Sequence, residues 1–312
     1  MRDDGATDEP KGALSTDRND RLKRLAAGAS VTIAAVLIAA KAGAWIVTGS
    51  VSLLSTLIDS LLDLAASVVN FIAVRQAMQP ADREHRFGHG KAEPLAGLAQ
   101  AAFVAGSAAF LLFEAVQRLV NPVPVKNSAF GIGVMILSIV LTLGLVLFQR
   151  FVVKRTGSVA ISADSLHYSA DLLVNTSVIV ALLLSVKLGW SAADPIFAIV
   201  IALFIVHGAW GIFTSSLKLL MDAELPESDR ARIRAIAVSH PGVISVHDIR
   251  TRSSGTQTFI QFHLEMDGNL TLIDAHIIAE TVMAEVERAF PDAEVLIHED
   301  PYGIEEKRAV FE

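Results

Sequence analysis

Apolar runs of spanning length recur six times along the chain, over residues 25–48, 51–74, 94–120, 128–148, 159–186 and 195–217. A bilayer core takes about 20 residues of helix, so each run is long enough to cross it. The outer breaks Gly49-Ser50, Asn121-Pro122-Val123-Pro124 and Asp194-Pro195 predict tight helical hairpins, the last as a cap residue followed by a first-turn proline. From Asp222-Ala-Glu-Leu-Pro226 onward the pattern changes. Helical period covers 227–239 and 272–290, while 243–251, 258–266 and 294–298 read as strands, the first two joined near Ser253-Ser254-Gly255. The prediction is an α-helical membrane bundle of six transmembrane helices followed by a small open-faced α+β domain in the order αββαβ. The expected divisions are a disordered polar tail over 1–20, the bundle over 21–221, the α+β domain over 222–303 and a short tail over 304–312.

Composition fits a membrane protein: 52% of the 312 residues are hydrophobic, only 6% are aromatic, and the mean hydropathy is +0.49. Charge divides unevenly, at +3 before Asp222 and −10 from there on. An acidic domain holding five of the nine histidines is a poor nucleic-acid binder and a plausible cation binder. Zero cysteines exclude disulfides and thiolate metal sites. Six spans put both termini on one side. Arg21, Lys23 and Arg24, then Arg75, Arg83, Arg86 and Lys91, then Arg150, Lys154 and Arg155 fall on that side, against Lys126, Lys187 and nearby Arg118 on the other. The positive-inside rule makes it the cytoplasmic side of the inner membrane.

Charge inside the apolar runs is the most informative feature. Asp59 and Asp63 lie one helical turn apart in the second run, and His167 and Asp171 one turn apart in the fifth. A carboxylate at bilayer depth costs about 2.5 to 3.5 kcal/mol, so such groups pair, bind ions or line a water path. Three carboxylates and an imidazole make a tetrahedral set suited to a divalent metal ion: Zn2+, or iron(II), cadmium, cobalt, nickel or manganese. Asp164 shares their helix face but reads as a helix-start charge. Ser55, Ser60, Ser67 and Asn70 with Ser165, Ser169, Asn175 and Thr176 suggest a hydrated path, Lys41 a side chain snorkelling outward, and His207 a packed histidine. In the loop after the second run, Asp82, His85 and His89 could close on a metal. In the C-terminal domain His247 and His263 fall within strands, His298 and Asp300 share one side of an extended segment, and His276 sits on the intervening helix.

Asp59-Ser-Leu-Leu-Asp63, His85-Arg-Phe-Gly-His-Gly-Lys-Ala-Glu93, Ala163-Asp-Ser-Leu-His167-Tyr-Ser-Ala-Asp171 and Ile260-Gln-Phe-His263-Leu-Glu-Met266 occur in order. From about Arg21 to Tyr302 the chain resembles the cation diffusion facilitators of the bacterial zinc and ferrous-iron efflux type. The resemblance implies a homodimeric secondary transporter exchanging metal for protons by alternating access. It implies a transport site at Asp59, Asp63, His167 and Asp171, and an inner-loop site at Asp82, His85 and His89, weakened where Arg83 replaces an acid. It further implies a binuclear cytoplasmic site at His247, His263, His276, His298 and Asp300, and a charge interlock of Lys91 with Asp222 linking the protomers. Metal in the cytoplasmic site would draw the domains together and favour transport. On the residues alone, a membrane-anchored metal sensor stays open, but it needs no charged tetrad in the bilayer. An intramembrane zinc enzyme also stays open, but it needs a vacant coordination position, and no HExxH or P-loop is present.

Overall fold

The computed structural model describes residues 11–48, 51–120, 129–188 and 192–304. They form two compact units, a helical one over Asn19–Leu217 and a mixed one from Lys218 onward.

The helical unit holds α1 (Lys11–Thr48), α2 (Val51–Ala77), α3 (Ala92–Val120), α4 (Ala129–Thr156), α5 (Val159–Leu188) and α6 (Ala193–Leu220). Five of the six contain stretches long and apolar enough to cross a membrane: Arg18–Val47, Thr56–Ala77, Ala92–Val120, Gly133–Thr156 and Ala193–Leu220. α5 completes the six. It spans 30 residues, but its first half spends the apolar run on Ser162, Asp164, Ser165, His167, Ser169 and Asp171. α1 starts inside the segment expected to be a disordered tail, because extending a nucleated helix costs little per residue; residues 1–10 lie outside the described residues, as do 49–50 and 121–128, which hold the breaks expected at Gly49-Ser50 and Asn121-Pro122-Val123-Pro124. Asp194 is not the cap of α6 but lies in its first turn, where it accepts from Arg118 Nη1 at 3.2 Å.

Small side chains dominate what the bundle buries: Ala26, Ala27, Ala108, Ala160, Ala163, Ala202 and Ala209 are almost fully enclosed. Lipid tails are as apolar as leucine, so close backbone approach and interhelical hydrogen bonds hold such helices together. One cluster joins α1, α2, α4 and α5 through Ala26, Val74, Val152 and Ile161. Another joins α3, α5 and α6 through Val104, Leu166 and Ile205. At Gly97 a Cβ would lie 2.8 Å from Ser216 Oγ and 3.0 Å from Val159 Cγ1, so α3 can approach this closely only without a side chain.

The C-terminal unit contains α7 (Glu227–Val238), β1 (Ser245–Ser253), β2 (Thr258–Met266), α8 (Leu272–Ala289) and β3 (Ala293–Pro301), the expected αββαβ order. β2 is central, antiparallel to β1 and parallel to β3. Its side chains alternate: Ile260, Phe262 and Leu264 pack with Ile233 of α7 and Val282 and Val286 of α8, while Gln261, His263 and Glu265 project from the other face. Both helices cover one face, which leaves the other for polar groups. Thr271 caps α8, its hydroxyl accepting from Asp274 N–H at 3.2 Å.

Candidate metal centres

The i, i+4 spacings place Asp63 on α2 against His167 and Asp171 on α5, with ligand atoms of all three within 4.8 Å of one another. His167 Nε2 lies 3.1 Å from Asp63 Oδ1 and 3.6 Å from Asp171 Oδ2, yet it is buried without an aligned hydrogen bond. A buried imidazole nitrogen between two carboxylates is a group that a cation would satisfy. Asp59, one turn away on α2, stands outside this trio but lines the same cleft of about 260 Å³, together with Asp63, Asp171 and Asn175.

Several polar side chains sit elsewhere than the sequence suggested. Lys41 does not snorkel away: its Nζ donates to Ser60 Oγ at 2.6 Å and to the Thr56 carbonyl at 3.2 Å, and it lines the acidic cleft. Asp164 is no helix-start charge at a surface. It is fully enclosed and accepts from Ser30 Oγ at 2.5 Å, Gln149 Nε2 at 2.7 Å and Gln100 Nε2 at 3.2 Å, tying α1, α3 and α4 to α5. Next to this hub on α5, Tyr168 OH meets Ser67 Oγ at 2.8 Å, and a buried Lys23–Glu93 pair at 3.1 Å joins α1 to α3. Ser165 and Ser169 line a separate cleft rather than the acidic one, and Thr176 bonds back to its own helix at the Leu172 carbonyl. Asn70 is buried, while Ser55's side chain lies outside those described. His207 is exposed on α6 rather than packed.

The loop between α2 and α3 gathers Asp82, His85 and His89. Asp82 Oδ1 accepts the backbone N–H groups of His85 at 2.6 Å and Glu84 at 2.9 Å, closing a turn in the loop that follows the end of α2 at Ala77. The His85 N–H above all holds the Asp82 carboxyl below its ordinary value. His85 Nδ1 and His89 Nε2 stand 3.4 and 3.5 Å from the carboxylate, with the rings 4.5 Å apart. Gly88 takes φ 74°, the left-handed turn that brings His89 back toward Asp82.

On the open face of the sheet, register does the positioning. His247 pairs with His263, and His263 with His298, so one histidine from each strand stands in a single row. Ring centroids are 5.0 and 4.7 Å apart. Asp300, two residues beyond His298, is buried among them, with Oδ2 2.7 Å from His263 Nδ1 and 3.5 Å from His247 Nε2, and Oδ1 3.1 Å from His298 Nε2. A bulge between His247 and Arg250 gives Asp248 a φ of 46° and brings its Oδ2 to 3.8 Å from His263 Nε2. Arg250 holds the Asp248 carboxyl below its usual range through a hydrogen bond. His276 stands apart on α8, 4.0 Å from Glu280 and Glu299. Asp222, at φ 53°, faces Arg252 at 3.5 Å, and Lys91 immediately precedes α3.

Carboxylate and imidazole ligands converging inside apolar helices, with further sets on a loop and on a polar sheet, define a membrane protein that handles divalent cations. The model of the cation efflux transmembrane domain matches residues 28–221, and that of the cation efflux protein cytoplasmic domain matches residues 225–302. The chain is 50% identical over 290 residues to the cation-efflux pump FieF of Shewanella oneidensis, covering 93% of this chain and 98% of that one. It is 46% identical over 284 residues to the FieF of Salmonella schwarzengrund, covering 91% and 94%. The metal-bound C-terminal domain of the CzcD transporter from Thermotoga maritima matches with 30% identity and a TM-score of 0.25, over 26% of this chain and all of that one. The chain belongs to the cation diffusion facilitator family. It is a multi-pass membrane transporter for divalent metal efflux, not an enzyme.

Proposed function

We propose that this protein exports zinc across the cytoplasmic membrane in exchange for protons, with Asp59, Asp63, His167 and Asp171 as the transport site. The observation that carries the reading is His167 Nε2, buried and without an aligned partner between Asp63 and Asp171. Oxygen and imidazole donors without any thiolate suit zinc, and the same set admits iron(II), cadmium, cobalt, nickel and manganese. Metal requires ionised carboxylates and neutral imidazole, so protons compete for the same atoms.

Asp82, His85 and His89 form a second metal set in the loop. His247, His263, His298 and Asp300, with His276 at the margin, form a third that binds a regulatory ion. The buried Asp300 Oδ1, 3.1 Å from His298 Nε2 but without an aligned hydrogen bond, supports that role. In this reading the C-terminal domain joins two copies as a homodimer, and the basic loops support a cytoplasmic location for both termini. Proteoliposomes carrying a pH dye test the exchange. Zinc added on one side should drive proton movement, and His167→Ala or Asp171→Ala should abolish it while the protein stays monodisperse. Zinc flux without proton movement would refute the antiport, and full flux in either variant would refute the site.

A further inference from the structure

A cleft of about 720 Å³ opens between α4, α5 and α6 and shares no lining residue with the acidic cleft. Its lining includes Arg150 and Lys154, one turn apart on α4 near the end of that helix at Thr156, and Ser162 of α5. Arg150 lies six residues before that end, about 9 Å along the axis, a distance over which a long basic side chain can snorkel toward a head-group layer. Both cations are exposed and, among the described residues, neither forms an ion pair with a carboxylate; Arg150 reaches only Ser169 Oγ, at 3.5 Å. Much of the remaining lining is apolar, through Leu147, Phe204 and Ile212, with Leu147 59% and Phe204 51% exposed. Gly208 keeps this wall low: a Cβ there would lie 2.7 Å from Leu166 Cδ1.

Two unpaired cations above an apolar slot ask for a ligand of the opposite make-up. A divalent metal is repelled by them. A small soluble anion would satisfy the charges but leave the slot unfilled. We propose that this cleft binds an anionic phospholipid of the adjacent leaflet, its phosphate on Arg150, Lys154 and Ser162 and one acyl chain along Leu147, Phe204 and Ile212. Guanidinium matches phosphate geometry in two parallel hydrogen bonds, and basic pockets between spanning helices are known to favour such head groups. The inference is independent of the metal and of the direction of transport.

Native mass spectrometry of the full-length, delipidated protein tests it, with dioleoyl-phosphatidylglycerol, dioleoyl-phosphatidylcholine and inorganic phosphate offered in turn. The expected result is one phosphatidylglycerol retained per chain, at least tenfold weaker retention of phosphatidylcholine, and no retained phosphate. Each basic residue near a membrane surface contributes about 1 kcal/mol, so Arg150→Gln with Lys154→Gln should weaken phosphatidylglycerol binding on the order of thirtyfold. Lys154→Gln alone, at an exposed position that tolerates change, should weaken it about fivefold. Arg155→Gln, which removes a cation stacked 5.5 Å from the Phe151 ring and outside the lining, should leave it unchanged. Equal binding of the two lipids, tight binding of free phosphate, or equal losses in the Lys154 and Arg155 variants would overturn the proposal.

Discussion

Replacing Asp164 by alanine tests whether the enclosed carboxylate holds the bundle together. The side chain accepts from three helices: Ser30 of α1 at 2.5 Å, Gln149 of α4 at 2.7 Å and Gln100 of α3 at 3.2 Å. Stranding a buried donor in a soluble protein costs about 1 to 3 kcal/mol, which would make three of them ruinous. The surroundings soften that. Gln149 Nε2 and Ser30 Oγ remain together at 2.9 Å, and Ser30 retains the Ala26 carbonyl at 3.2 Å, so only the Gln100 amide is left without a partner. Interhelical hydrogen bonds in membranes average about 0.6 kcal/mol, because inserted but unpacked helices also find partners. The expected loss is therefore about 2 kcal/mol for Asp164→Ala and roughly half that for Asp164→Asn, which keeps the shape and one acceptor. Unfolding of the full-length protein in mixed dodecylmaltoside–dodecyl sulfate micelles, followed by circular dichroism, reads both. An alanine variant as stable as the parent, or an asparagine variant less stable than the alanine one, would refute the reasoning.

Phe262 is 1% exposed at the centre of the C-terminal core, so Phe262→Ala should destabilise that unit by about 3 to 5 kcal/mol and lower its melting temperature before the helical unit is affected. The Asp267 carboxyl is held below its ordinary 3.8 by the Asn269 backbone N–H and then by the Asn269 side chain. A lowered carboxyl contributes stability above its unfolded value and loses it as pH falls through the folded one. The stability gap between the parent and Asp267→Ala in urea titrations should thus be full at pH 6 and close below about pH 3.8; a gap constant with pH would remove that turn from the ledger.

What was legible in the sequence followed the rules of a single element. One-turn spacing brought His167 and Asp171 onto one face, alternation placed His263 opposite Phe262, and the pattern after Pro226 gave the αββαβ order. What was hidden depended on partners far along the chain. Asp164 reads as a terminal charge until Ser30, Gln100 and Gln149 are seen to surround it from three other helices. Lys41 reads as partnerless until α2 brings Ser60 beside it. Asp248 gave no signal at all, because strict alternation puts it on the face opposite His247, and only the bulge and its positive φ turn it back. Neutral polar residues buried at helix crossings, such as Gln100 and Gln149, are the hint that the sequence carries.

The three-strand histidine row has a consequence for assembly of the nascent domain. Side chains on a strand alternate with a period of two, so slipping β2 by one residue would turn His263 inward and Phe262 outward together. A misaligned sheet could neither bury its aromatic nor chelate an ion. If the proposed set binds an ion, only copies with the β1–β2–β3 alignment intact would hold it.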